Sequence, residues 1–436
     1  MKLLVLSHNP ITTYHNMGKT LLSLLSGFSK DELCQLYIYP TLPDIAACDG
    51  YYRVTDKDIL RSLLTLSKPG EEIPVGKISK EQSMYEKSED EAVYTNVKNK
   101  TTHRRILREI MWKASFWFNG KMKSFLDKQK PDCIFVAPGD GMFLYDIALK
   151  IADYCNIPIV SYICDEYYFV SQPENSVERF RIRLLRKKIS ALMEKTALLI
   201  AISEEIRQQY CEHFGIEGLT VMTGADDSLT PVVPENEGRV MSYFGNIRCN
   251  RYISIAKIGK TLDSLNEGDG KERILNIYTS EKDEKILGEF DGIRSVKLCG
   301  FVTGEEFKQA LLSSDVLLHT EAFDKENAEL VRHSVSTKIA DSLYSGVPLF
   351  AFGPDYVSSM LHLKRNDCAA TVTDENELAE MLFKIFSDGE LRKSLSAKGR
   401  ETADKFHNRD HNSSILYKAI TKTAQKQEEN YESFAT

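Results

Sequence analysis

The chain has 436 residues, 56 Lys and Arg against 63 Asp and Glu, a net charge of −7, and 42% hydrophobic and 27% charged residues. At roughly 150 residues per domain this length asks for two domains or one long layered architecture, and the composition excludes a disordered or collagen-like chain. The acid excess excludes a globally basic nucleic-acid binder, so any anionic ligand must be held by a local patch.

Residues 3–6 form a short apolar run closed by Ser7, His8, Asn9 and Pro10, the pattern of a buried parallel strand entering a polar loop. Leu21, Leu22, Leu24, Leu25 and Phe28 follow with helical spacing, and 36–39 is the next expected strand. The tract 68–102 is crowded with Lys, Glu, Asp and Ser and reads as a solvated insertion. Ile106, Leu107, Ile110, Met111, Phe116, Trp117 and Phe118 then form an apolar stripe among Arg104, Arg105, Arg108, Lys113 and Lys121. The stripe reads as a core-facing helix with a charged outer face, with contact to a membrane surface or an acceptor as the alternative. Strand-like runs at 133–137, 157–163 and 198–202, separated by helical patterns, make this half α/β. Between the last two lies the strongest basic cluster, Arg179, Arg181, Arg183, Arg186, Lys187 and Lys188. It reads as a solvated helix face, or as peripheral contact with an anionic bilayer.

Pro231, Pro234, Glu235, Asn236 and Glu237 mark a boundary, after which the rhythm restarts with strands at 240–244, 274–278, 296–299, 316–319 and 349–352. The expected organisation is two doubly wound α/β domains facing a cleft. The first spans 1–230 with the insertion 68–102, and the second spans 238–405. Residues 406–436 form a C-terminal helix able to cross back to the first domain, with a polar tail. Ligands of such sheets lie outside the carboxyl ends of the strands. Nine Cys, an odd number with no C-x-x-C pair, disfavour a disulfide framework, a zinc ribbon or a redox motif. No run approaches the about 18 apolar residues of a membrane span, and the N-terminal run is too short for a secretion signal. The expectation is a cytoplasmic protein.

The densest chemical signal is the run from Val335 to Ala351. Ser336 or Thr337 caps a helix beginning near Lys338, Gly346 stops it, and Pro348 leads into a strand, so amides, a positive helix end and a lysine converge on one point. That combination suits a phosphate or diphosphate, against the alternative of a capped helix with a surface lysine. Three tempting motifs fail. Gly18-Lys19-Thr20 lacks the first glycine of a P-loop, where Thr13 stands. Asp56-Lys57-Asp58 reads as an acidic helix start rather than a metal-binding D-x-D. His407 and His411 lack the glutamate of H-E-x-x-H.

The run Ser336-Thr337-Lys338-Ile339-Ala340-Asp341-Ser342-Leu343 through Gly346 and Pro348 resembles the nucleotide-sugar site of GT-B glycosyltransferases, especially the retaining family 4, or group 1, enzymes. Tyr243-Phe244-Gly245-Asn246-Ile247-Arg248 resembles that domain's opening glycine loop, Gly300-Phe301-Val302 its "G-x-v" turn and Ser314-Asp315-Val316 its "a-D-v" strand. Lys130-Pro131-Asp132, Ile157-Pro158, Ile202-Ser203-Glu204 and Thr223-Gly224-Ala225-Asp226 match in the same order. The resemblance implies a glycosyltransferase moving a sugar from a nucleoside diphosphate-sugar to a saccharide or polyisoprenyl-linked acceptor, with retention and without a metal or other cofactor, in surface polysaccharide or glycoconjugate synthesis. It implies that Lys338 and Arg248, with Arg251 as the alternative to Arg248, neutralise the diphosphate, that Gly245, Ser336 and Thr337 approach it, the latter two through hydroxyls and amides, and that Asp341 accepts from the ribose hydroxyls. The family's E-x(7)-E pattern is incomplete, because His333 stands where the first Glu belongs. Glu321, His333 and Arg332 are the candidates for that role. On the acceptor side Asp165 or Glu166 orients the hydroxyl, against the reading of Asp165 as a helix cap, and His15 and Gly18 are further candidates in the loop after the first strand. An epimerase of sugar nucleotides and a catalytically silent GT-B scaffold are the rival readings.

Overall fold

The computed structural model describes residues 1–13, 16–80, 83, 102–171, 173, 175–225, 229–232 and 238–435. His15, Asp226, the boundary residues Pro234 to Glu237 and most of the tract 68–102 lie outside the described residues. The chain divides into two compact units, Met1–Val221 with Asp410–Thr436, and Met222–Arg409. The division precedes the expected turn at 230–237, because Met222 already belongs to the buried cluster of Leu317, Ile339 and Leu343.

In the first unit β1 (Leu3–Ser7), β2 (Leu33–Tyr37), β3 (Gly50–Arg53), β4 (Glu71–Ile73), β5 (Cys133–Ala137), β6 (Ile159–Ile163), β7 (Thr196–Ala201) and β8 (Gly218–Thr220) form one sheet. Its order is β4-β3-β2-β1-β5-β6-β7-β8, parallel except for β4 on β3. β1, β5 and β6 are buried at every position, which is why they read as continuous apolar runs rather than alternating ones. β2 lies three residues earlier than expected: the amides of Ile38 and Tyr39 both bond to the His8 carbonyl, turning 38–39 over the end of β1 as loop. The helix Arg409–Ala435 gives Leu416, Ile420 and Ala424 to this unit's core. Tyr417 packs on Phe28 at 4.7 Å and donates to Glu32 at 2.9 Å.

In the second unit β9 (Val240–Phe244), β10 (Ile274–Tyr278), β11 (Val296–Gly300), β12 (Val316–Thr320), β13 (Leu349–Phe352) and β14 (Ala369–Val372) form an all-parallel sheet of order β11-β10-β9-β12-β13-β14. This is the doubly wound order, and it reverses between β9 and β12, so a crevice is expected at the carboxyl ends of those two strands. β5, β9, β10 and β13 have the bounds expected from sequence. β3, β4, β8 and β14 were not expected, being three or four residues without the unbroken run of large apolar side chains that marks the equally short β13.

Gly18 lies in the helix Asn16–Leu24, where an added Cβ would stand 2.6 Å from the Pro10 carbonyl oxygen, so its smallness lets the loop after β1 fold onto the helix. Gly346 ends the helix Thr337–Tyr344 at φ +79, with the Val232 carbonyl oxygen 2.2 Å from the position of a Cβ. Gly346→Ala is therefore expected to lower unfolding stability by about 2–3 kcal/mol, from left-handed strain and overpacking together. Denaturant titration checks this as a lower midpoint with an unchanged slope.

Candidate functional site

The loop from Gly245 to Asn250 follows β9 and feeds the helix Arg251–Asp269. Gly245 has φ +142 while a Cβ there would meet nothing closer than the Tyr243 hydroxyl at 3.7 Å, so backbone conformation rather than space demands glycine. Its amide bonds to the Tyr278 carbonyl (3.0 Å), and the Tyr243 hydroxyl donates to the Asn246 carbonyl (2.7 Å). Cys249 and Asn250 are both left-handed at φ 56, and this sharp turn brings Arg251 round to face β12.

There Arg251 Nε donates to Glu321 Oε2 at 2.7 Å, bridging the two strands that flank the switch point. Glu321, one of the candidates for the missing Glu, is buried at 3% exposure. Burial raises its carboxyl above the ordinary value of 4.5, and Arg251 pulls it back. His319, at the end of β12, holds Nε2 3.7 Å from Glu321 Oε1, too far for a hydrogen bond. That Nε2 is buried with no partner among the described residues. Burial and the nearby Arg251 push the imidazole down to about 3, so it is neutral at pH 7. Gly353, after β13, approaches so closely that a Cβ would lie 3.2 Å from Glu321 Cβ.

Arg248 turns outward instead, 58% exposed, and holds Glu281 through Nε (2.6 Å) and Nη2 (3.0 Å). The bond to Arg248 and the amides of Asp283 and Lys282 hold that carboxyl down to about 2. Sequence reasoning missed Glu281 and His319. The available signal was an acid two residues beyond the turn after β10 and a polar residue ending an apolar strand, but neither matters until the sheet order sets β10 and β12 on either side of β9.

The helix Thr337–Tyr344 is capped by Ser336, whose hydroxyl accepts from the Lys338 amide at 3.4 Å. Its beginning lies at the carboxyl edge of the sheet, because the Arg332 carbonyl accepts from Ser358, just past β13 (2.7 Å). Its far end lies at the amino edge, where Ser345 bonds to Val232, upstream of β9 (2.8 Å). Lys338 Nζ is 3.5 Å from Thr337 Oγ1, and Thr337, Lys338 and Asp341 are half-buried. His333 is buried in the turn before this helix. Arg332 pairs with Glu329 at 3.3 Å and lies 5.7 Å from the Tyr356 ring. The sheet edge thus carries Gly245, Arg248 and Arg251 after β9, Glu321 after β12 across the switch point, and the Ser336–Lys338 helix start beyond β12.

In the first unit Asp165 follows β6 and is exposed. It caps no helix, since the next one, Ser176–Met193, is capped by Asn175. Glu166 is the organising acid there: its Oε1 accepts from the Phe169 amide (2.8 Å) and the Tyr210 hydroxyl (3.2 Å), and burial raises its carboxyl. At this unit's own switch point, between β1 and β5, Glu109 accepts from the Met142 (2.8 Å) and Phe143 (3.1 Å) amides. That fills the start of the helix Met142–Cys155, and burial pushes the Glu109 carboxyl up to about 7. The acids of Asp56-Lys57-Asp58 are structural: Asp56 accepts from Arg108 and Trp112, and Asp58 closes a capping box on Thr55. His407 bonds to His362 (3.1 Å) and to the Thr223 carbonyl (2.9 Å) rather than pairing with His411.

No protein-family model matches the chain, and no curated protein matches it in sequence. Solved structures match it over nearly its whole length. Sucrose-phosphate synthase from Thermosynechococcus elongatus superposes with a TM-score of 0.63 at 12% identity, covering 97% of this chain and 99% of that one. Anabaena HepE in complex with UDP gives 0.62 at 11% identity, covering 97% and 100%. WaaG, a glycosyltransferase involved in lipopolysaccharide biosynthesis, gives 0.54 at 12% identity, covering 95% and 99%. At such identities the likeness is one of fold.

Removal of Arg251 leaves a carboxylate in a buried place without its counter-charge. A carboxyl whose folded pKa exceeds its unfolded one loses stability as pH rises from the ordinary value through the folded one, and losing Arg251 enlarges that gap. Arg251→Ala is expected to cost about 3 kcal/mol at neutral pH, with a smaller loss on acidification below the ordinary carboxylate range. Adding Glu321→Gln should recover most of the loss. Thermal or denaturant unfolding of the two variants across pH checks both statements.

Proposed function

From the GT-B fold that the chain shares with these structures, we propose that it is a glycosyltransferase taking its sugar from a nucleoside diphosphate-sugar. The observation that carries this reading is the arrangement at the second sheet's switch point: Gly245, Arg251 and Glu321 at the carboxyl ends of β9 and β12, with a lysine-bearing helix start at the same edge. Among the matching structures, HepE was solved with UDP-glucose and a trehalose-phosphate synthase from Burkholderia xenovorans with glucose-6-phosphate, which supports a nucleotide-sugar donor and a saccharide acceptor.

The diphosphate sits against the helix start at Ser336, Thr337 and Lys338, where the positive helix end and the ammonium favour an anion. Arg248 or Arg251 adds donors from the β9 loop once a diphosphate competes with Glu281 or Glu321 for its guanidinium, and Asp341 accepts from the ribose hydroxyls. In the transfer the bond from the anomeric carbon to the β-phosphate oxygen breaks, and its electron pair leaves with the phosphate. The cations stabilise that developing charge more than they stabilise the ground state. The acceptor hydroxyl oxygen bonds to the anomeric carbon on the face the phosphate leaves, which gives retention, and its proton passes to the departing phosphate. With protein cations serving the phosphate, the reaction runs without a metal. Glu321 and His333 lie toward the sugar, Asp165 toward the acceptor, and a polyisoprenyl-linked saccharide of surface polysaccharide synthesis is the acceptor class. The nine cysteines are free, four of them buried, which supports a reducing, cytoplasmic setting.

The test is a melting and calorimetric screen against UDP, GDP, CDP, ADP and their sugar conjugates, with and without EDTA. A cognate donor at a hundred times its Kd should stabilise the protein by about 2.7 kcal/mol in either condition. Lys338→Ala should lower donor kcat/KM at least about tenfold with the melting temperature of the apo protein unchanged, one charge-assisted phosphate contact being worth about 1.5–3 kcal/mol. Unchanged kinetics would remove the diphosphate assignment, and donor binding without any transfer or hydrolysis would mark a silent scaffold.

A further inference from the structure

We propose that the first unit carries a docking surface for an anionic lipid bilayer, formed by the helices Asp56–Thr65 and Thr102–Ala114 and by Phe116. The inference goes beyond the proposed reaction and does not rest on it. Leu60, Leu64, Leu66, Leu107, Ile110 and Phe116 are each 48% to 83% exposed. The helix expected to turn its apolar stripe inward buries Trp112 instead, stacked on Phe143 at 4.3 Å, and leaves Leu107 and Ile110 outside.

Bonds at both ends hold these residues in one patch. At one end Asp56 accepts from Arg108 Nε (2.9 Å) and from Trp112 Nε1 (2.7 Å). At the other, Asn119 donates to the Pro69 carbonyl (2.8 Å) and Lys121 Nζ to the Lys68 carbonyl (3.3 Å). Leu60 and Leu64 stand four and eight residues beyond Asp56, on the helix flank turned towards the second helix.

Charge selects the occupant. Lys57, Arg61, Lys68, Arg104 and Lys113 are exposed around the apolar side chains. The carboxylates of the same segments are committed elsewhere: Asp56 to Arg108 and Trp112, Asp58 to Thr55, and Glu109 to the amides of Met142 and Phe143. The outward charge is therefore positive, around leucine, isoleucine and phenylalanine side chains, which is the chemistry of an interfacial surface meeting anionic headgroups. The basic helix Ser176–Met193 is a poorer candidate, because, of its large apolar side chains, only Phe180 and Leu184 are exposed. The patch lies at the carboxyl edge of the first sheet, since Arg108 reaches His8, just past β1, at 3.3 Å. A bilayer bound there would face that edge.

Flotation of the full chain with phosphatidylcholine vesicles, with and without phosphatidylglycerol, tests this. Wild-type protein should float with the phosphatidylglycerol vesicles, and at least about tenfold less with neutral ones or in about 0.5 M salt. Leu64→Asp with Phe116→Asp should reduce binding at least about tenfold with an unchanged melting temperature, whereas Leu298→Asp, at an exposed leucine of the second unit, should not. Should the double variant fold poorly, Lys57→Glu with Arg61→Glu should give the same loss. The proposal is overturned by absence of flotation with anionic vesicles or by equal flotation of the variants. Self-association abolished by the double variant, without vesicle binding, would make the patch an interface between copies and would equally overturn it.

Discussion

The ion pair between Arg251 and Glu321 is the interaction on which the second unit's site depends. It spans the two strands where the sheet order reverses, and each partner reaches it only because of local backbone geometry: Arg251 through the left-handed pair Cys249 and Asn250, Glu321 because β12 ends one residue before it. A buried charged pair of this kind contributes little net stability against an apolar substitute. What it does is fix position. With Glu321 anchored, Ser254 bonds to its carbonyl (2.9 Å), Gly353 packs on its Cβ, and His319 is kept neutral beside it. The helix start at Ser336 is held separately, through the Arg332 carbonyl and Ser358.

The two units treat their switch points differently. In the second, the edge presents arginines, a lysine and a capped helix start. In the first, the corresponding helix start is already occupied by Glu109, whose carboxylate stands where an external anion would bind. Burial raises that carboxyl to about 7, so its charge changes near neutrality, and the helix Thr102–Ala114 that delivers it also carries Arg108 to His8 and Asp56. One helix therefore fills the helix start at Met142 and supplies Leu107 and Ile110 to the exposed apolar patch. The two edges differ in chemistry: ion pairs and a capped, lysine-bearing helix start in one unit, exposed apolar side chains among basic ones in the other.

Much of this fold was legible in the residues. Runs such as Cys133–Ala137 and Leu349–Phe352 are buried at every position, and a continuous apolar run between turn residues has few other readings. The capped helix at Ser336 was equally legible, because a cap, a stop glycine and a following proline are local chemistry. The short strands β3, β4, β8 and β14 were not legible, lacking an unbroken run of large apolar side chains. The basic cluster at Arg179 to Lys188 forms a helix face with Arg179, Arg183 and Lys187 exposed, while Arg186 and Lys188 find the Tyr168 carbonyl and Asp146, partners that a run of charge does not announce.

The sequence by itself determined the α/β alternation, the glycine turn after β9 and the lysine-bearing helix start, since each rests on neighbours within a few positions along the chain. Only the tertiary structure decided that Arg251 rather than Arg248 meets Glu321, that Glu281 holds Arg248, and that Glu109 fills the helix start at Met142. It also decided that Leu107 and Ile110 face outward while Trp112 enters the core. These pairings join residues 33 to 70 positions apart or choose one face of a helix over another. Strand order and helix packing set such choices, and neither is encoded in any local pattern.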